Sequence, residues 1–337
     1  MSSTSTFSSI LCIVLPTKPN SITGHIFEMK RASEVPPDVD WFGSILTTFL
    51  IDFSIVDSII AYAEEHNQRV FGHNLVWHSS TPEWVRQKAK QNPKWLLPFL
   101  KGYIQSYVGR YKGKVHGWDV VNEGLNTKGA GFRTDTIWYE TIGLEYIEKA
   151  FEYAHEADPD AILFYNDFNI ERDLEKFNTM IEMVKDFQKR GVPISGIGFQ
   201  MHIRMDIPND IIAYTLKTAA ETGLQIHLSE VDIIFNTHDD TRGGGIERYT
   251  EITPEMLAAQ AKKYEELVKI YMTTVPKDQQ YGITFWGFND RDTWIRRFFK
   301  MRDWPTIYDE NLKPKPAFYG FLEGLKSNQI SSKSNLN

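Results

Sequence analysis

From Gln68 to Leu325 the chain alternates between two hydrophobic periods, and this constrains the fold more than any other feature. Short apolar, β-prone runs stop abruptly on polar residues. Each gives way to a longer stretch whose apolar residues recur every three or four positions. The pattern predicts strands over 69–77, 115–122, 161–166, 194–200, 225–230 and 281–286. The first predicted helix opens at Thr81-Pro82-Glu83-Trp84, with Thr81 as cap and proline at the first helical position. Others are predicted over 135–157, 173–190, 210–222, from Thr253-Pro254 onward, and over 316–325. In the 173–190 segment, Leu174, Phe177, Ile181, Val184 and Phe187 share one face and Gly191 ends it. Residues 326–337 are polar and aperiodic, a tail expected to fray.

Strands alternating with helices at this spacing imply a parallel sheet covered by helices. Six strand–helix units are readable, and the first 67 residues are long enough for two more. The expected fold is therefore α/β, a (β/α)8 barrel forming one catalytic domain over residues 1–325. An open doubly wound sheet is the alternative, but no Gly-x-Gly-x-x-Gly loop follows any strand.

With 42% hydrophobic and 24% charged residues, the chain has ample material for a core. Its net charge of −7 and its dispersed basic residues argue against a nucleic-acid partner. The single cysteine, Cys12, forms no internal disulfide and no thiolate metal cluster. No apolar run reaches the roughly 20 residues that cross a bilayer, since Asp52 and Asp57 interrupt residues 42–60. No membrane partner is expected. Met1–Pro16 has an apolar core but neither a positive leading region nor a clear cleavage site, so the compartment stays open.

In a barrel, functional groups stand where strands exit into the following loops. Here these are His78, Asn122 and Glu123, Asn166 and Asp167, Gln200 and His202, Glu230 and Asp232, and Trp286 with Asn289 and Asp290. Trp77, Trp84, Phe168 and Trp294 lie close to them in the chain. Aromatic faces beside amides, imidazoles and carboxylates suit a sugar, whose C–H face stacks and whose hydroxyls need many partners. Two carboxyl groups flanking a glycosidic bond are the equipment for hydrolysing it. Glu230 is expected to stay ionised as the nucleophile, with His202 donating to it and Asp232 orienting the imidazole. Glu123 leaves an apolar strand beside Asn122, where burial and a neighbouring negative charge raise a carboxyl pKa; it is expected to be the acid and base. No metal or other cofactor is expected: the odd spacing of His73 and His78 points them to opposite strand faces, which favours structural roles. Trp118 reads as core, and Arg291, Arg296, Arg297, Lys300 and Arg302 as a solvated run.

Six ordered motifs resemble those of glycoside hydrolase family 10, the endo-β-1,4-xylanases. They are Gly72-His73-Asn74-Leu75-Val76-Trp77-His78-Ser79, Trp118-Asp119-Val120-Val121-Asn122-Glu123, Tyr165-Asn166-Asp167-Phe168-Asn169, Gly196-Ile197-Gly198-Phe199-Gln200-Met201-His202, Ser229-Glu230-Val231-Asp232 and Phe285-Trp286-Gly287. The resemblance covers roughly residues 54–325. It implies a retaining mechanism, with Glu123 as acid/base, Glu230 as nucleophile, and the two carboxyl groups about 5–5.5 Å apart. It further implies that Asn122, His202 and Asp232 support the nucleophile, and that Lys30, His78, Trp84, Asn122, Gln200, His202, Trp286 and Trp294 bind substrate. The implied partner is xylan or a xylo-oligosaccharide, the chain a monomer, and the location secreted or periplasmic.

The N-terminal region, about residues 1–53, departs from the family pattern. Asn20-Ser21-Ile22-Thr23 and Glu28-Met29-Lys30 look like two halves of the second-strand motif, but Gly24-His25-Ile26-Phe27 stands where the sugar-binding Glu-Asn pair is expected. Only Lys30 carries over. A first strand over 9–15 leaves four residues before Asn20, too few for a crossover that needs about a dozen. Ser80 stands where the family has glutamine. The first βα unit is therefore expected to be incomplete or irregular, with a weakened distal sugar subsite. Competing readings are another β-1,4-glycanase of similar barrel, such as a cellulase or mannanase, and a degenerate barrel that binds xylan with little turnover.

Overall fold

The computed structural model describes residues 10–14, 27–28 and 53–334. In chain order these form β1 (Ile10–Val14), β2 (Phe27–Glu28), α1 (Ser54–Glu65), β3 (Arg69–Trp77), α2 (Glu83–Gln91), α3 (Leu96–Arg110), β4 (Val115–Asn122), α4 (Ile137–Ile142), α5 (Glu145–Ala157), β5 (Ile162–Asp167) and α6 (Leu174–Arg190). There follow β6 (Gly196–Phe199), β7 (His202–Arg204), α7 (Asn209–Ala220), β8 (Gln225–Ile234), β9 (Thr237–His238), β10 (Gly245–Ile246), α8 (Pro254–Thr274), β11 (Gln280–Phe285), α9 (Trp294–Phe298) and α10 (Pro316–Ser334). All six strands expected after residue 68 are present, and β3 and β4 keep their expected bounds.

Contacts gather the chain into two compact units. The first comprises the chain to Asn126 with Phe132–Asn166 and Val184–Ser195; the second comprises Thr127–Gly131, Asp167–Met183 and Gly196 onward.

In the first unit, β3 pairs in parallel with β4, and β4 with β5. The seven central residues of β3 are all buried, as a strand covered on both faces requires. Helix α1 contributes Val56, Ile59, Ile60 and Ala63, the three- and four-residue spacing of one buried stripe. The departure from regular βα order lies at β1, which runs antiparallel to β3, with Ile10 opposite His73 and Val14 opposite Arg69. Strand β2 is antiparallel to β1 in turn. Antiparallel neighbours need no crossover helix between them. Lys30, Trp41 and the apolar stretch 42–51 lie outside the described residues.

Two helix expectations are corrected. The segment predicted as one helix over 135–157 is two, because Gly143 takes φ +81° and its N–H closes α4 on the Tyr139 carbonyl at 2.8 Å. At α2, Pro82 rather than Thr81 is the capping residue, with extended backbone. The Thr81 hydroxyl instead donates to the Trp77 carbonyl (3.1 Å) and accepts from Trp138 Nε1 (2.9 Å), tying the exit of β3 to α4.

In the second unit, β6, β8 and β11 are parallel neighbours, and β7 extends the pairing with His202 opposite Asp232. Ile197, Phe199, Ile226, Leu228, Leu216 and Leu267 are sealed from solvent around this sheet. Thr253 caps α8 by accepting from the Met256 N–H at 3.3 Å, as its sequence signature predicts. Helix α10 lies against α8 through two glycines: a Cβ at Gly320 would stand 2.1 Å from the Ala261 carbonyl oxygen, and one at Gly324 2.6 Å from Val268 Cβ. The helix runs on to Ser334, through most of the stretch expected to fray.

Candidate active site

Strand β4 delivers Asn122 and Glu123 at its end. Glu123 has φ +59°, a left-handed conformation that costs a non-glycine residue about 1–2 kcal/mol. Two backbone contacts hold it there: its N–H donates to the Asn166 carbonyl (2.9 Å), and its carbonyl accepts from Arg133 Nε (3.3 Å). The turn swings the carboxylate out of the strand into a partly open position, while Asn122 behind it is 3% exposed. Asn166 at the end of β5 donates through Nδ2 to Asn122 Oδ1 (2.8 Å), and Asn122 Nδ2 donates to Glu123 Oε1 (3.3 Å). The buried amide chain fixes which face of Asn122 meets the carboxylate.

On β3, His73 Nδ1 lies 2.7 Å from Asp119 Oδ2, and its Nε2 lies 3.2 Å from Asn74 Nδ2. Both ring nitrogens are engaged in a buried network, the structural role expected of this histidine. His78 sits in the turn after β3, with Nε2 3.1 Å from Ser79 Oγ and its carbonyl held by Arg86 (2.5 Å). Trp84 lies on α2 in an aromatic group, edge-on to Trp95 (6.0 Å) and Phe99 (5.6 Å), and is 36% exposed. Trp118 is core, 3% exposed.

In the second unit, Glu230 stands within β8 and is 4% exposed. Its N–H donates to the Gln200 carbonyl (3.1 Å), and the Gln200 N–H donates to the Asp167 carbonyl (3.1 Å). His202 joins the carboxylates: Nε2 is 3.3 Å from Glu230 Oε2, and Nδ1 is 3.1 Å from Asp232 Oδ1. The Nδ1 contact is off the N–H axis, an ion pair by proximity rather than an aligned hydrogen bond. Burial alone would push the imidazole down, but the Asp232 and Glu230 charges and hydrogen bonds outweigh it and raise His202 to about 10. At neutral pH the ring is an imidazolium between two carboxylates. Trp294 Nε1 donates to Asp232 Oδ2 (2.7 Å), and its ring centroid is 4.9 Å from that of His202. Trp286 closes another side edge-on at 6.1 Å.

Two acids among the candidate strand-end residues hold structure instead. Asp167 Oδ1 accepts from Lys176 Nζ at 2.7 Å, with both side chains sealed from solvent and the ammonium 3.9 Å from the Phe168 ring centroid. Asp290 Oδ2 pairs with Lys315 Nζ at 2.8 Å and Asp290 Oδ1 accepts from Thr306, in a second buried ion pair. Asn289 accepts the Asp292 N–H (3.1 Å) in the same loop. Sequence reasoning missed both lysines: Lys176 stands one position from the apolar stripe of its helix, and Lys315 lies in an aperiodic segment. It also missed Glu171, which is sealed from solvent with its carboxyl pKa raised by desolvation. The basic run 291–302 is partly paired with acids, Arg296 and Arg302 with Glu310 and Arg291 with Asp292.

The model of the glycosyl hydrolase family 10 domain matches residues 32–324. Lys30 therefore lies outside the match. An endo-1,4-beta-xylanase of Geobacillus stearothermophilus is 38% identical over 277 residues, covering 80% of this chain and 81% of its own. The endo-beta-1,4-xylanase Xyn10C of Cellvibrio japonicus is 37% identical over 297 residues, 83% of this chain; the match spans 48% of that protein, about half its length. Among solved structures, xylanase 10B from Thermotoga petrophila in complex with xylobiose is similar with a TM-score of 0.73 at 37% identity, covering 82% of this chain and 79% of that one. The chain belongs to glycosyl hydrolase family 10, with the (β/α)8 barrel fold of that family.

Proposed function

We propose that the chain hydrolyses internal β-1,4-xylosidic linkages of xylan with retention, Glu230 acting as nucleophile and Glu123 as acid and base. Glu230 attacks the anomeric carbon as Glu123 gives its proton to the departing glycosidic oxygen, leaving a xylosyl ester on Glu230. Water then attacks that carbon and gives its proton to Glu123, and Glu230 leaves as a carboxylate. Two inversions return the original configuration.

The observation that carries the assignment is the position of the His202 ring, 3.3 Å from Glu230 and 3.1 Å from Asp232. A positive charge 3.3 Å from a buried carboxylate keeps it ionised, as a nucleophile must be. The Glu123 carboxylate accepts from the uncharged amide of Asn122 and is partly open, compatible with a group that carries a proton in one step and lacks it in the next. Trp286 and Trp294 supply aromatic faces beside His202, suited to a pyranose ring. Gln200, His78, Trp84, Lys30 and Asn122 complete the proposed substrate contacts. A polymeric substrate fits a secreted or periplasmic location. Among the described residues no helix is long and apolar enough to cross a membrane.

A 2-deoxy-2-fluoro-xylobioside with a good leaving group tests this, because the fluorine slows breakdown of the ester and traps it. Mass spectrometry of the digested enzyme should find the sugar on the peptide carrying Glu230, and NMR should show the β-anomer released first from xylo-oligosaccharides. A label on another residue, or an initial α-anomer, would overturn the assignment.

A further inference from the structure

We propose that the β9–β10 hairpin is a positioning element for the nucleophile, in which His238, stacked on Phe299, holds α9 so that Trp294 keeps its hydrogen bond to Asp232. This rests on the reading of Glu230 as nucleophile. Helix α9 spans only Trp294–Phe298, is capped by Phe299, and the chain then turns at Lys300 with φ +58°. So short a helix is not held by its own hydrogen bonds and needs tertiary support. One side packs on β8, where Ile295, Phe299 and Met301 are buried against Ile234.

The hairpin supplies the other side. The Gly243 N–H donates to the Phe298 carbonyl (2.7 Å) and the Gly245 N–H to the Phe299 carbonyl (3.1 Å). A Cβ at Gly245 would stand 2.5 Å from Met301 Cβ and 2.7 Å from the Phe299 carbonyl oxygen, so only glycine allows this approach. The His238 ring lies parallel to Phe299, with centroids 3.9 Å apart and planes 11° apart. Phe298 and Phe299 both touch Trp294, at 5.7 and 5.1 Å. Contacts thus run unbroken from the hairpin through the two phenylalanines to Trp294, Asp232, His202 and Glu230.

The base of the hairpin is itself fixed. Asn236 is sealed from solvent; its Oδ1 accepts the N–H groups of Arg248 (2.7 Å) and Tyr249 (2.8 Å), and its Nδ2 donates to the carbonyls of Tyr249 (3.0 Å) and Arg302 (2.9 Å). A buried amide using its full bonding capacity enforces one geometry, more than a loop serving only as surface cover requires. His238 Nδ1 also lies 3.2 Å from the Asp240 N–H and from Asp240 Oδ1, a polar contact to be separated from the stack.

His238→Phe keeps the stack and drops the polar contact, whereas His238→Ala removes both. The readouts are kcat and KM on xylan and the indole N–H NMR signal of Trp294, assigned with Trp294→Phe. His238→Ala should move that signal and lower kcat about tenfold, in keeping with the cost of small misplacements at a reacting centre. His238→Phe should retain both, and Gly245→Ala, which displaces Phe299 by a separate route, should reproduce His238→Ala. Wild-type kcat and indole signal in His238→Ala would overturn the proposal, as would an equal loss in His238→Phe. Should His238→Ala not fold, His238→Phe and Gly245→Ala decide the matter on the same readouts. Xylan hydrolysis that survives Glu230→Ala would instead sink the reading of Glu230 itself.

Discussion

The surroundings of Glu123 and of Glu230 differ in kind. The Glu123 carboxylate is partly open and accepts from the amide of Asn122, itself held by Asn166, while the Arg133 guanidinium donates to the Glu123 carbonyl. Around Glu230 the neighbours are charged, His202 with Asp232 behind it, and the carboxylate is nearly sealed. Glu123 directly follows β4 whereas Glu230 stands within β8, and their proposed division of labour is read from what surrounds them. Under the proposed mechanism the positive ring of His202 favours the anion at Glu230, whereas the Glu123 carboxylate accepts from the uncharged amide of Asn122.

The contrast breaks most visibly at Glu230. Replacing it with alanine should lower xylan hydrolysis by about 10⁴-fold or more, measured as reducing-sugar release. Glu123→Ala should lose about 10²–10⁴-fold on xylan but much less on aryl xylobiosides with good leaving groups, which depart without a proton. Equal losses on both substrates would erase the distinction between the two sites.

The charged side can be tested through its scaffold. Lys176→Met strips the partner from sealed Asp167, whose carbonyl accepts the Gln200 N–H one step from Glu230, and should cost about 3–5 kcal/mol in urea unfolding. A smaller effect follows from His202. With its pKa raised from 6.5 to about 10, the pairing contributes fully to stability below about pH 6.5, progressively less above it, and nothing once the pH passes about 10. The melting-temperature gap between wild type and His202→Asn should shrink accordingly across that window; a constant gap would show that the ring carries no extra proton. On the Glu123 side, Trp84→Ala should have the smallest effect, raising KM for xylan about two- to twelvefold, since one partly exposed ring contributes about 0.5–1.5 kcal/mol.

Much of this was legible in the chain. Strands β3 and β4 announced themselves as apolar runs because burial on both faces leaves no polar alternation, and they end where charge becomes affordable, which is also where chemistry sits. His202, Glu230 and Asp232 were readable as a group, and the structure brings them within ion-pair distance. The partner of Asp167 was not, because a lysine beside an apolar helical stripe looks like a solvated residue until the fold seals it. The split at Gly143 was hidden because a glycine is tolerated within a helix and shows only through its dihedral angle that it ends one. The hairpin at Thr237–Ile246 has strands of two residues, below any periodic signal.

The contact of α10 with α8 has a consequence for altering the molecule. Where two backbones meet with no side chain between them, α10 behaves as a fitted lid on α8, over Ala261 and Val268. Removing it would uncover a greasy strip and invite clumping, whereas cargo attached beyond Ser334 would leave the joint undisturbed.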